Sequence, residues 1–268
     1  MTLRVAIGGL GAIGKVVAQQ LDRGIDGLAL AAVSARDQTR AEKAMSSFAR
    51  PVPVAPLASL WEHADLIVEC APAALLRELA EPAITHGRHV MVLSCGALLD
   101  NFGLVELARR HGGRILVPSG ALLGLDAVAA AAEGKISSVH MITRKPPQGL
   151  AGAPYLEENA ISVAGLSEPK QVFAGSAREA ARGFPANVNV AAALALAGIG
   201  PDRTTIEIWA DPGVTRNVHR IEVEADAARF SLQIENVPSA ENPRTGRLTA
   251  LSVIAALKKL TSPLAVGT

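Results

Sequence analysis

A short apolar run, Leu3-Arg4-Val5-Ala6-Ile7, leads into Gly9-Leu10-Gly11-Ala12-Ile13-Gly14, and the chain leaves that loop as a helical pattern over 12–21. A G-x-G-x-x-G motif is weak evidence when it stands alone. Between a strand and a helix, at the head of an alternating series, it narrows the fold to a dinucleotide-binding α/β unit. The first glycine permits the tight turn, the second lets backbone approach a pyrophosphate, and the third lets helix pack on strand. The N–H groups at the helix start then favour the phosphates. Gly9, Gly11, Ala12, Ile13 and Gly14 are therefore the expected cofactor-binding residues.

The alternation continues. Strands are expected at 28–33, 52–54, 66–70, 89–94 and 114–118, with helices at 39–47, 74–86 and 101–111 and a bend or break at Pro82. Strands spaced by helices imply right-handed crossovers and a parallel sheet. Composition agrees, because hydrophobic residues make up 49% and aromatics only 3%. Such an aliphatic core suits a parallel sheet under helices better than a sandwich. After about residue 120 the rhythm changes. A helix at 125–133 precedes a long strand at 136–143. Helices are expected around Ala160, at 177–182 and at 188–197, then strands at 204–210, 219–225 and 229–236 in succession. The second part is thus α+β with a mixed or antiparallel sheet. A last helix at 245–260 follows Asn242-Pro243. The expected organisation is a Rossmann-type dinucleotide-binding domain, 1–120, completed by the C-terminal helix of 241–268, and a catalytic and dimerisation domain, 121–240.

The second strand ends Val33-Ser34-Ala35-Arg36-Asp37. Serine stands where an acidic residue would take the ribose 2′-hydroxyl of NAD, and Arg36 is placed to hold the 2′-phosphate of NADP. Asp37 can still reach the ribose if the loop is offset, so the cofactor is NAD or NADP. A net charge of +1 gives no reason to expect nucleic acid or an anionic membrane as partner. The chain starts directly into a strand, without a leader pattern, and holds no apolar run of about 18 residues to span a bilayer. Cys70 and Cys95 have no metal-type spacing, so no metal site is expected. Their apolar surroundings read as buried free thiols in a cytoplasmic protein.

In the second part, "DPGVTRNVH" ends at His219, where a loop meets a strand. From these residues alone His219 is either a proton acceptor or a polar residue at a strand edge. Asn187 and Asn189 flank the start of an apolar helix, where one caps it and the other is free for a cofactor or substrate contact. Arg144 and Lys145 end a strand as strand-end charges or as a clamp for carboxylates. Thr215 and Asn217 share the loop of His219.

Taken together, GLGAIG, "ECAP", "SCGAL", "VPSGALLGLDA", "TRKPP", "FPANVNVAAALALAG", "ADP…NVH" and "ENPRTGRLTALSV" resemble the L-aspartate dehydrogenase family, in the same order and over nearly the whole chain. The resemblance implies NAD(P)-dependent oxidative deamination of L-aspartate to iminoaspartate. The imine then hydrolyses to oxaloacetate and ammonia or feeds NAD biosynthesis. It places the active-site histidine at His219 and nicotinamide-side contacts at Asn189 and in the loop of Gly120 and Leu123. A neutral imidazole with pKa near ~6.5 is a natural proton acceptor for this chemistry. Arg144, Lys145, Asn187, Thr215 and Asn217 are candidate substrate contacts. Alternatives are a related homoserine dehydrogenase-like or dihydrodipicolinate reductase-like enzyme, or a non-catalytic NAD(P)-binding sensor. The succession of strands after 204, with little helix to cover both faces, leads us to expect a homodimer.

Overall fold

The computed structural model describes residues 2–239 and 246–267. Asn242-Pro243 and the expected helix start at Thr245 lie outside the described residues. The chain divides into two compact units, Met1–Pro118 with Ala250–Ala265, and Ser119–Thr249 with Val266–Thr268.

The first unit carries β1 (Leu3–Gly8), α1 (Ala12–Arg23), β2 (Leu28–Ser34), α2 (Gln38–Met45), β3 (Leu66–Glu69), α3 (Leu76–Thr85), β4 (His89–Val92), α4 (Cys95–Asp100), α5 (Gly103–His111) and β5 (Ile115–Leu116). The strands form one sheet in the order β2-β1-β3-β4-β5, every pair parallel. Chain order reverses between β1 and β3, the switch point outside whose carboxyl ends open α/β sheets bind ligands. Val5, Ile7, Val17, Leu28, Leu66, Val68 and Met91 form the aliphatic core. Val253 and Leu257, both fully buried, come to this core from the C-terminal helix Arg247–Thr261.

Several elements differ from expectation. Residues 52–54 make only an isolated bridge, Val33 with Val54, because Pro51 and Pro53 lack the N–H a ladder needs. Helix α3 runs through Pro82 to Thr85. Helix α4 begins right after Ser94, where the strand had been expected to end.

The second unit contains α6 (Leu125–Ala132), β6 (Ile136–Lys145), α7 (Pro154–Glu158), β7 (Lys170–Ser176), α8 (Ala177–Gly183), α9 (Asn189–Ala197), β8 (Thr204–Ala210), β9 (Asn217–Ala225) and β10 (Arg229–Asn236). Its sheet runs β10-β9-β6-β8-β7. β6 and β8 are parallel and the other pairs antiparallel, so the sheet is mixed. β7 was not expected, and the helix foreseen around Ala160 ends at Glu158, with Ala160 itself at a positive φ of 51°. Helices α8 and α9 pack on one face of the sheet. That face buries Val139, Met141, Ile206, Ile208, Ile221 and Val223. On the other face Ser138, Thr205, Arg220, Ser231 and Gln233 are exposed.

The glycine loop shows why glycine stands at two of its positions. Gly9 has φ 107°, and a Cβ there would lie 2.6 Å from the Cys70 carbonyl oxygen. A Cβ on Gly14 would lie 1.9 Å from the Gly9 carbonyl oxygen, so α1 packs against β1 without room for a methyl group. Gly14→Ala should therefore destabilise the protein by about 1–3 kcal/mol, the usual cost of overpacking. Gly11→Ala, with nothing within 4 Å of the added Cβ, should leave the melting temperature unchanged. Thermal unfolding of the two variants checks this.

Candidate active site

In the first unit the carboxyl ends of the strands are tied together by backbone. The Gly9 N–H donates to the Ser34 carbonyl at 2.9 Å, joining the glycine loop to the end of β2. Glu69, fully buried at the end of β3, accepts from the Ser94 N–H at 2.8 Å, the Ser94 hydroxyl at 3.0 Å and the Leu93 N–H at 3.1 Å. These bonds hold the loop after β4 against the end of β3. Burial outweighs them and pushes the Glu69 carboxyl above the usual carboxylate range. Sequence reasoning did not single Glu69 out, although a charged residue closing the wholly apolar "LIVE" was its signal.

This edge has the features of a dinucleotide cradle. Gly11 stands at the N-cap of α1 without a side-chain cap, and the space beyond its Cα is open. The first-turn N–H groups of α1, at Ala12, Ile13 and Gly14, are thus offered to a phosphate rather than to a cap. Arg36 is exposed just past the end of β2. Asp37 caps α2 by accepting from the Arg40 N–H at 3.0 Å, so its carboxylate is engaged there rather than waiting for a ribose.

The second unit gathers polar groups at one end of its buried sheet face. Strand alternation puts Thr143 and Lys145 of β6 on that face, and Asn217 and His219 of β9 beside them. Thr143 lies directly opposite His219 in the antiparallel pair, and its Oγ1 is 3.2 Å from the His219 Nδ1. β9 begins at Asn217, two residues before the expected start, and is flanked by β10 and β6. His219 is therefore 3% exposed inside a sheet, not at a strand edge. Burial first, and the Lys145 charge second, push its imidazole down to about 3. This departs from the ordinary value expected from sequence.

Lys145 is equally buried. Its Nζ donates to the Asn187 Oδ1 at 2.9 Å and the Asn187 carbonyl at 3.2 Å, and desolvation lowers its pKa to about 8. Asn187 thereby brings the start of α9, with Asn189 in its first turn, to this end of the sheet. The expected capping does not occur: Val188 is the N-cap residue and no side chain caps α9, because Asn187 is spent on Lys145. Asn236, opposite Asn217, donates its Nδ2 to the Ala121 carbonyl at 2.8 Å and so pins the loop that carries Gly120 and Leu123. Thr143 and Asn236 were not foreseen, since only pairing register brings them here.

Two expected substrate contacts stand apart. Arg144 alternates to the opposite face, where its Nη1 pairs with Asp211 at 3.1 Å and its guanidinium lies 4.9 Å from the centre of the Trp209 ring. It cannot share a clamp with Lys145. Thr215 is exposed in the turn before β9. Of the cysteines, Cys95 is buried and Cys70 only half-buried, and both are free thiols.

The model of the aspartate dehydrogenase C-terminal domain matches residues 126–260, and that of the homoserine dehydrogenase NAD-binding domain matches residues 9–118. The chain is 59% identical to L-aspartate dehydrogenase of Bradyrhizobium diazoefficiens, over 99% of this chain and 94% of that protein. It is 57% identical to L-aspartate dehydrogenase 3 of Bordetella bronchiseptica, over 99% and 98%. The crystal structure of aspartate dehydrogenase from Thermotoga maritima matches 100% of both chains with a TM-score of 0.75 at 24% identity, a likeness of fold. A shared nucleotide-binding half leaves several dehydrogenases open, and the second half, with the whole-chain relatives, decides among them: the chain belongs to the L-aspartate dehydrogenase family.

Proposed function

We propose that the protein oxidises L-aspartate at its amino-bearing carbon with NAD+ or NADP+, giving iminoaspartate. Water then converts the imine to oxaloacetate and ammonia, unless it passes on to NAD biosynthesis. The observation that carries this reading is the buried His219, held by Thr143 and set beside an ammonium group, in the half that matches the aspartate dehydrogenase C-terminal domain.

Gly9, Gly11, Ala12, Ile13 and Gly14 would hold the pyrophosphate, Arg36 the adenosine ribose end, and Gly120, Leu123 and Asn189 the nicotinamide end. The nicotinamide, when bound, accepts the hydride that leaves the substrate Cα. His219 takes the proton from the substrate nitrogen, so that its electron pair can move into the C=N bond. With the Nδ1 proton donated to the Thr143 hydroxyl, Nε2 keeps its lone pair for this purpose. Lys145, Asn187 and Asn217 line the substrate side, and the dry sheet face around them strengthens each polar contact they make.

We place the protein in the cytosol, in keeping with its free cysteines. Among the described residues no helix is long and apolar enough to cross a membrane. The open face of the second sheet, with Trp209 under Arg144 and half-buried Ile142 and Val218, is our candidate for a homodimer contact.

His219→Ala should lower turnover of L-aspartate by roughly 10²–10⁴-fold. NADH binding, followed by fluorescence, should be unchanged because His219 is not among the residues assigned to the cofactor. Near-parental reduction of NAD(P)+ at pH 7–8 by the folded variant would remove His219 from the mechanism. Arg36→Ala should raise KM for NADP+ well above any change for NAD+, since only NADP+ carries the 2′-phosphate. Equal changes would show that Arg36 does not meet that position. Light scattering of the intact protein should give twice the chain mass, and a monomeric mass would end the dimer proposal.

A further inference from the structure

Among the described residues, Lys145 is a buried cation without an anion. Of its three N–H groups, two point at neutral acceptors of Asn187. The groups around it can be named element by element. Thr143 is its neighbour on β6 and His219 stands diagonally across on β9. Ala210 is opposite on β8. The Asp211 carboxylate that follows is taken by Arg144 and by the Gly213 N–H at 2.8 Å. Among the described residues no carboxylate pairs with Lys145. An ammonium group held this way is costly unless something anionic joins it. With its pKa lowered to about 8, Lys145 still carries its charge at neutral pH.

The same charge acts on His219. An imidazole held at about 3 resists protonation, and such a group is a poor acceptor for an amine proton at neutral pH. Burial is the larger cause of this low basicity and the Lys145 charge the second; the second is the one a ligand can relieve, by bringing negative charge next to Lys145.

We propose that Lys145 is the receptor for the side-chain carboxylate of the substrate, and that seating this carboxylate is what enables His219 to take up a proton. The proposal rests on the aspartate-oxidising reading and adds a specificity device to it. With the carboxylate in place the ammonium is neutralised, and its repulsion of a second positive charge falls. The substrate N–H bond then breaks as the Nε2–H bond forms, and the electron pair stays on the nitrogen. An amino acid without the second carboxylate leaves Lys145 bare and His219 unreceptive, so it is refused at the chemical step as well as in binding.

The test is an NMR titration of the histidine ring nitrogens in the whole protein, with His219 assigned by the His219→Asn variant and succinate as a dicarboxylate that cannot react. In the parent, succinate should raise the His219 pKa by about one pH unit or more. Succinate should bind less well as pH rises through about 8, where Lys145 loses its charge. In Lys145→Met the His219 pKa should already be raised and succinate should not move it further. A parent His219 that ignores succinate, or an equal response in Lys145→Met, overturns the proposal. The parent titration stands even if the variant does not fold. Reduction of NAD(P)+ with L-aspartate is measured separately. A shifted His219 without aspartate oxidation would reject the activity and keep the receptor, whereas oxidation with an unmoved His219 would reject the receptor alone.

Discussion

The polar cluster of the second unit depends on the register of β6 against β9. Side chains alternate with a period of two, so a slip of one residue would turn Thr143, Lys145, Asn217 and His219 out of the buried face and bring Arg144 in. What prevents the slip lies further along the same two strands, where Val139 faces Val223 and Met141 faces Ile221, all four essentially without solvent contact. Apolar burial at one end therefore sets the partners of the polar groups at the other. An irregularity in the pairing, between Ile136 and Ser138, falls at the apolar end away from His219.

The two units hold their polar groups by different physics. At the edge of the first sheet these are backbone groups held in shape, with the close approach of Gly14 to Gly9 fixing helix to strand and Glu69 gathering N–H groups from the next loop. Charge plays little part, and Arg36 is the exposed exception. In the second sheet they are ionisable side chains removed from water, where small rearrangements of charge have large effects. Their basicities follow from the burial that the flanking helices impose.

The alternating half of the fold was legible because most of its apolar runs are long enough to declare a period, and it failed at 52–54, where two prolines remove the N–H groups of a short run. The second sheet was read in part, since 204–210 and 229–236 alternate clearly. β7 was missed because Lys170-Gln171 opens it with polar residues and Gly175 interrupts its end. The position of His219 was legible in the motif and its environment was not. Its flanking strand β10 and the Thr143 hydroxyl lie 10 or more residues away in sequence, and so does the lysine that lowers its basicity. The opposition of Arg144 and Lys145 was available from alternation alone, once both residues are counted inside the strand rather than after it. The engagement of Asn187 with Lys145 had no local signal, as a helix start offers asparagine an equally good capping role.

The contribution of the C-terminal helix to the first unit has a consequence for how the protein is made. Val253 and Leu257 are the last pieces of a core whose other members lie before residue 92. During synthesis the nucleotide-binding half lacks these side chains until all the strands of the second sheet have been made. The order of emergence thus runs opposite to the order of completion. The nucleotide-binding half is thus the one that must wait, and loss of the helix that carries Val253 and Leu257 would cost that half part of its core while the strands bearing His219 and Lys145 remained whole.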